Sequence, residues 1–152
     1  MIVKKTISFY IEDFLGKYYN KNLLETANLD IDQNYSNSNL VNRINKIIQK
    51  SIIDLTTEDI AVLLRQKIGG SFLLAIALMI IVEEPFIKAE NYAVDLLNYC
   101  LEYSWSEWLE IEVYNIDPYD TIASIEFAVI GIEKKIDEYK YKYKLIGAQA
   151  GI

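Results

Sequence analysis

Few residues in this sequence have the type and spacing that catalysis requires. Adjacent carboxylates occur at Glu58-Asp59 and Glu83-Glu84, and paired acids are a common basis for acid–base catalysis. Residues i and i+1 of a helix point apart, however, so neither pair could act together on one substrate. Solvated charge, or a complement to a helix dipole, is the favoured interpretation of both pairs.

Histidine is absent from the chain, and Cys100 is its single cysteine. The sequence therefore lacks the usual general base and the commonest zinc ligand. Gly69-Gly70 does not have the spacing of a phosphate-binding loop. We expect no catalytic residue, no metal site and no cofactor, which argues against an enzyme.

Acidic and aromatic residues are interleaved between Tyr92 and Asp120. From Glu83 to Glu126 there are eleven acids opposed only by Lys88, in a chain whose net charge is −7. Acids attract a basic partner, and aromatic rings bury large areas at small entropic cost. The residues predicted to bind a partner are Glu102, Tyr103, Trp105, Glu107, Trp108, Glu110, Glu112, Asp117, Tyr119 and Asp120. A structural interpretation, with the tryptophans in the core and the acids on a solvated rim, carries about equal weight from these residues alone.

The elements that must position these residues begin with three helices predicted between Asp54 and Leu101. Thr56 or Thr57 can cap the first helix, and Gly69-Gly70 can end it, since glycine adopts the left-handed conformation without a Cβ penalty. Ser71 can then cap the second helix.

The second of these helices, Phe72 to Val82, is apolar on every face, so other elements must surround it. The third is predicted from Tyr92 to Leu101, where Asp95 is expected to cap or pair locally. Arg65 and Lys67 are expected to be solvated charges on the first helix, opposite its apolar stripe.

Amphipathic periodicity extends to both sides of this region. Residues from Ile7 to Tyr18 and from Leu40 to Ile48 recur at helical spacing, and the polar stretch from Asn28 to Asn39 is predicted to be a loop.

Two further elements follow the central helices. Residues 104–115 fit either state: Ser104 and Glu107 have capping-box spacing, whereas Leu109, Ile111 and Val113 alternate as in a strand. A helix is favoured because no second strand is evident. Asp117-Pro118 then predicts the start of a long helix with heptad-like apolar positions through Tyr139.

These elements predict an all-α fold, a single-domain multi-helix bundle over residues 1–152 around the buried helix from Phe72 to Val82. The tail, residues 144–152, is expected to be poorly ordered. One unpaired cysteine suits a reducing compartment, the N-terminus lacks a secretory apolar stretch, and the apolar run is far shorter than the ~20 residues of a membrane span. We expect a cytoplasmic protein without a membrane anchor.

The central region also resembles a known family, the immunity proteins of bacterial contact-dependent growth inhibition (CDI) systems. The residues that carry this resemblance are Asp54, Leu55, Thr56, Glu58, Asp59, Ile60, Leu63, Gln66, Ile68, Gly69, Leu73, Ala77, Leu78, Pro85, Tyr92, Asp95, Leu96 and Leu97. With the upstream helix it covers roughly residues 20–108. The chain departs from the family pattern at Ala61 (arginine expected), Gly70 (leucine), Ala75 (proline) and Val94 (glycine).

The resemblance implies a small cytosolic protein that binds the C-terminal toxin domain of a CDI exoprotein, one to one, and neutralises it by non-covalent occlusion. Many such toxins are nucleases, which are basic because their substrate is a polyanion. No nucleic acid, membrane or small-molecule substrate is expected as a partner.

Two alternatives remain open. The chain could be a helical adaptor without a toxin partner, or a nucleic-acid binder through the lysines and tyrosines of residues 139–144. The net charge of −7 disfavours the nucleic-acid binder.

Overall fold

A computed structural model of the protein describes Thr6, Ile7, Tyr10, residues 21–23 and residues 39–143. Residues 28–38 of the predicted loop and the tail at 144–152 lie outside this part, as does most of the predicted N-terminal helix; Asn39, predicted as the last loop residue, begins the first helix. The chain divides into two compact units, Met1–Pro118 and Tyr119–Ile152.

The described part of the chain is helical, which confirms the predicted all-α class. The α-helices are α1 (Asn39–Gln49), α2 (Thr57–Arg65), α3 (Gly70–Glu83), α4 (Asp95–Leu101), α5 (Trp105–Leu109) and α6 (Pro118–Lys142). Short 3-10 helices span Ile52–Asp54 and Glu110–Tyr114. The described residues include no strand, only isolated antiparallel bridges between Thr6 and Thr56 and between Asn22 and Ser51.

The central apolar helix is α3, one turn longer than its predicted span of 72–82. Its side chains from Phe72 to Leu78, with Ile80 and Ile81, are buried. Helices α2, α4 and α5 and the second 3-10 helix all contact it. Because each buried leucine or isoleucine contributes about 1.5–3 kcal/mol, burial of α3 stabilises the first unit strongly.

Helix α2 begins at a reciprocal capping box. Thr56 Oγ1 accepts from Asp59 N at 3.1 Å, and Asp59 Oδ2 accepts from Thr56 N at 3.1 Å. Two orphan N–H groups of the first turn are thereby satisfied. Of the two capping residues allowed by the sequence, the structure uses Thr56.

Helix α2 ends at Arg65, before the predicted stop at Gly69-Gly70. Ile68 N donates to Leu63 O at 2.9 Å and Lys67 N to Leu64 O at 3.0 Å, the hydrogen bonds of a Schellman motif. Lys67 takes the left-handed position of that motif, with φ 55°. The prediction was wrong because it assumed that a glycine must occupy this position.

Gly69 instead occupies the N-cap position of α3, in the left-handed conformation with φ 92°. The predicted cap, Ser71, lies within the first turn of the helix. A Cβ atom at Gly69 would collide with the side chain of Leu73, whereas one at Gly70, φ 55°, would meet nothing within 4 Å. Gly69 is therefore required both for its backbone angle and for the close approach of Leu73.

The loop between α3 and α4 is organised by the buried carboxylate of Asp95. It accepts from four backbone N–H groups, those of Ala89 and Glu90 at 2.8 Å, Asn91 at 2.7 Å and Tyr92 at 3.3 Å. Burial acts to raise the pKa of Asp95, but the hydrogen bonds outweigh it and hold that pKa below its ordinary value. Asp95 thus pairs locally, as expected, and α4 starts at this residue rather than at Tyr92.

Ion pairs join segments that are distant in sequence. Arg65 makes a two-pronged contact with Glu90, Nη2 to Oε1 at 2.9 Å and Nε to Oε2 at 3.3 Å. Arg43 pairs with Glu58 at 2.9 Å. The interpretation of Arg65 as a solvated charge was wrong, because the loop after α3 brings Glu90 to it.

The second unit contains α6, which starts at Pro118 as predicted. Several of its apolar side chains are exposed, among them Phe127 at 83%, Ile130 and Tyr141. Among the described helices, none combines the length and the apolarity needed to cross a bilayer.

Candidate protein-binding face

Most of the predicted binding residues lie on one short segment that runs from the end of α4 through α5 into the second 3-10 helix. Ser104 caps α5: its Oγ accepts from Glu107 N at 3.2 Å, and Glu107 Oε2 accepts from Ser104 N at 2.7 Å. This is the capping box predicted from the spacing. The choice of helix over strand for this segment is confirmed.

The inner side of the segment belongs to the core. Trp108 is 3% exposed, and its Nε1 donates to Cys100 O at 3.0 Å. Tyr103 is 8% exposed, and its hydroxyl donates to Leu64 O at 3.1 Å. Both rings therefore pack in the core of the first unit, each with its polar atom hydrogen-bonded to a backbone carbonyl.

The phase of the 3-10 helix decides which side chains face inward. With three residues per turn, Trp108, Ile111 and Tyr114 share one face. Ile111 is fully buried, and the Tyr114 ring packs edge-on against Phe72 of α3, with centroids 5.6 Å apart.

The outer side carries exposed apolar side chains. Trp105 is 41% exposed and stacks on Trp108, with ring centroids 6.0 Å apart and an interplanar angle of 27°. Leu109 is 37% exposed and Val113 is 77% exposed. Sequence reasoning missed Leu109 and Val113, because their alternation with Glu110 and Glu112 resembles a strand. A three-residue repeat of inward side chains that starts at Trp108 would have placed Leu109 and Val113 outside the core.

The acidic residues of the segment differ in what they do. Glu107 is committed to the capping box. Glu102, Glu110 and Glu112 are exposed, and within the described residues none of the three takes part in an ion pair. Asp117 is also exposed, beyond the 3-10 helix. No lysine or arginine occurs between Lys88 and Lys134, so the local field of this segment is negative.

Lys67 lies at the border of this segment. Its ammonium is 5.2 Å from the centroid of the Tyr103 ring and 3.5 Å from Glu102 O. The expected solvated charge is thus exposed but also makes a cation–π contact, which the sequence did not indicate.

Tyr119 and Asp120, the last two predicted binding residues, lie in the first turn of α6 and belong to the second unit. Both are exposed. Within the first unit, Glu102, Trp105, Glu110 and Glu112 are exposed along one segment, and Tyr119 and Asp120 belong to the other unit.

The described residues offer binding contacts rather than reactive groups. Burial raises the pKa of the Cys100 thiol, which opposes formation of a nucleophilic thiolate. No group of three or more histidine, cysteine, aspartate or glutamate side chains in this part of the chain is arranged to hold a metal ion.

Comparison with known proteins identifies the family. The family model described as CDI immunity proteins matches residues 25–115, which include α1 to α5 and the second 3-10 helix but not Asp117, Tyr119 or Asp120. A comparison with curated proteins found no match, and one with solved structures found none either. Since the match covers more than half of the chain, the protein belongs to the family of CDI immunity proteins.

Proposed function

We propose that this protein neutralises the C-terminal toxin domain of its cognate CDI exoprotein by binding it one to one in the cytoplasm, and that the toxin is a basic nuclease. Membership of an immunity family implies a cognate toxin partner. The protein acts by non-covalent occlusion and has no catalytic step of its own.

The observation that carries the nuclease proposal is the charge of the segment from Glu102 to Asp117. Exposed glutamates precede and follow the exposed Trp105 along the segment, and no lysine or arginine lies between residues 88 and 134. A nuclease binds a polyanion and is therefore basic at its active site. An acidic protein surface is complementary to that site and would compete with the nucleic acid.

Gene order and growth provide the test. The reading frame immediately upstream should encode the toxin domain, and its expression should stop growth of cells that lack this protein. Co-expression of this protein should restore growth, and the two proteins should co-purify with one copy of each. The purified toxin should degrade RNA or DNA, and an equimolar amount of this protein should stop the degradation.

Two results would contradict the proposal. Growth arrest unaffected by co-expression would exclude the immunity function toward that toxin. If co-expression restored growth but the purified toxin left nucleic acids intact, the immunity function would stand and the nuclease proposal would be excluded.

A further inference from the structure

We propose that Trp105, Leu109 and Val113 form the apolar anchor of the toxin interface, and that the toxin meets it with an apolar patch bordered by lysines or arginines. This inference rests on the proposed function and names the surface that performs it. Of the three anchor residues, only Trp105 belongs to the acidic and aromatic pattern recognisable in the sequence.

The local geometry places these side chains on two outward edges of the segment, so the proposed toxin surface must contact both edges. Because Trp108, Ile111 and Tyr114 occupy the inward face of a three-residue repeat, the residues between them fall on the two outward edges. Leu109 and Glu112 lie on one edge, and Glu110 and Val113 lie on the other. Trp105, one helical turn before Leu109, extends the first edge.

The anchor is held rigid before any partner binds. The Trp105 ring stacks on Trp108, and Trp108 is fixed in turn by its hydrogen bond to Cys100 O. At the other end of the segment, Tyr114 packs on α3. Binding therefore loses little side-chain entropy here, which is a property of residues that dominate interface energies.

The charges around the anchor select the chemistry of the partner. Glu110 and Glu112 lie three positions and one position before Val113 in the sequence, and Glu102 precedes the turn into α5. An uncharged partner surface would leave these carboxylates desolvated without compensation, whereas lysines or arginines would pair with them. The apolar anchor and the acidic residues near it together indicate a partner surface with an apolar centre and basic residues around that centre.

The test measures binding of the purified toxin domain encoded immediately upstream, using two matched pairs of variants. Trp105→Ala is compared with Phe127→Ala, an exposed aromatic on α6. Val113→Lys is compared with Ile130→Lys, an exposed aliphatic on the same helix. Binding kinetics and a thermal melt are recorded for each variant.

We expect Trp105→Ala to weaken binding by roughly 30-fold or more, mainly through faster dissociation. Val113→Lys should weaken it at least as much, because it brings a cation to a basic partner. The α6 variants should remain within about threefold of wild type. Since Val113 is 77% exposed, Val113→Lys should melt like the wild type, so it tests the anchor even if Trp105→Ala is unstable.

If Val113→Lys bound the toxin domain with wild-type affinity, or if Ile130→Lys lost as much affinity as Val113→Lys, the proposed anchor would be overturned. Toxin neutralisation would still stand. No binding of wild type to the toxin domain would overturn both the anchor and the proposed function.

Discussion

At the scale of single residues, Val94 is unusual in its backbone conformation and Asp95 in the number of hydrogen bonds that its carboxylate accepts. Val94 has φ 68°, a conformation in which a β-branched residue is an outlier. It occupies the position before Asp95 where the family pattern has glycine, and the angle explains that preference. Asp95 itself satisfies four backbone N–H groups of the preceding loop. Together they define how the chain enters α4.

Val94→Gly should stabilise the protein by about 0.5–1 kcal/mol. The left-handed conformation costs a non-glycine residue about 1–2 kcal/mol, and part of the relief is offset by the greater chain entropy of unfolded glycine. Urea denaturation measures the change. The control is Val113→Gly, at an exposed valine without a positive φ, where the same substitution should destabilise by about 0.5–1 kcal/mol. Destabilisation at both positions would show that Val94 is not strained.

Asp95→Asn should destabilise the protein by about 2–3 kcal/mol at pH 7, because an amide offers one acceptor oxygen and turns an NH2 group toward backbone donors. The folded pKa of Asp95 lies below its ordinary value. The carboxylate therefore contributes stability above the unfolded pKa, about 3.9, and loses it as the pH falls through the folded pKa. The difference between wild type and variant, measured by denaturation from pH 7 to pH 3, should shrink only below about pH 4. A difference independent of pH would contradict the assigned role.

At the scale of elements, helix boundaries follow local hydrogen bonds more closely than residue preferences. The Schellman motif after α2 uses Lys67 although two glycines lie close by. Those glycines serve the start of α3, where Gly69 must lie against Leu73. The turn from α2 into α3 therefore depends on one glycine more than on the other.

Gly69→Ala should cost about 2–3 kcal/mol, since it adds backbone strain and a collision with Leu73. Gly70→Ala should cost about 1 kcal/mol, since its positive φ is strained but its Cβ would meet open space. Thermal melts of both variants give the comparison. Equal destabilisation would mean that Leu73 moves aside freely.

At the scale of the whole molecule, the distribution of charge should affect association with the toxin more than the net charge does. The net charge is −7, and several acids are already engaged: Glu58 and Glu90 in ion pairs, Asp95 in the loop before α4 and Glu107 in the capping box of α5. The acids left in the first unit to attract the basic toxin that we propose include Glu102, Glu110 and Glu112. Long-range steering should therefore originate mainly from this segment.

Replacing Glu102, Glu110 and Glu112 together by glutamine should slow association with the toxin domain about tenfold at low salt and flatten the salt dependence of the rate. The melting temperature should change little, because these side chains are exposed. The control replaces Glu126, Glu133 and Glu138 on α6 by glutamine, which changes the net charge equally. If both triple variants slowed association to the same extent, net charge rather than this segment would steer the encounter.

The sequence by itself determined the all-α class, the central helix, a threonine cap at the start of α2, the capping box at Ser104, the start of α6 at Pro118 and the local pairing of Asp95. The caps and the pairing of Asp95 depend on residues within about six positions of one another, and the central helix depends on one continuous apolar run, so residue types and spacing are sufficient to predict these features.

Only the tertiary structure decided which aromatic residues face inward. Trp105 and Trp108 are three positions apart in α5 and alike in type, yet one is exposed and the other buried, because the packing of α5 against α3 decides which of the two rings faces the core. The contact between Arg65 and Glu90 likewise depends on a loop folding back across 25 positions. Such relations arise from packing between elements, and composition and periodicity within one element do not contain them.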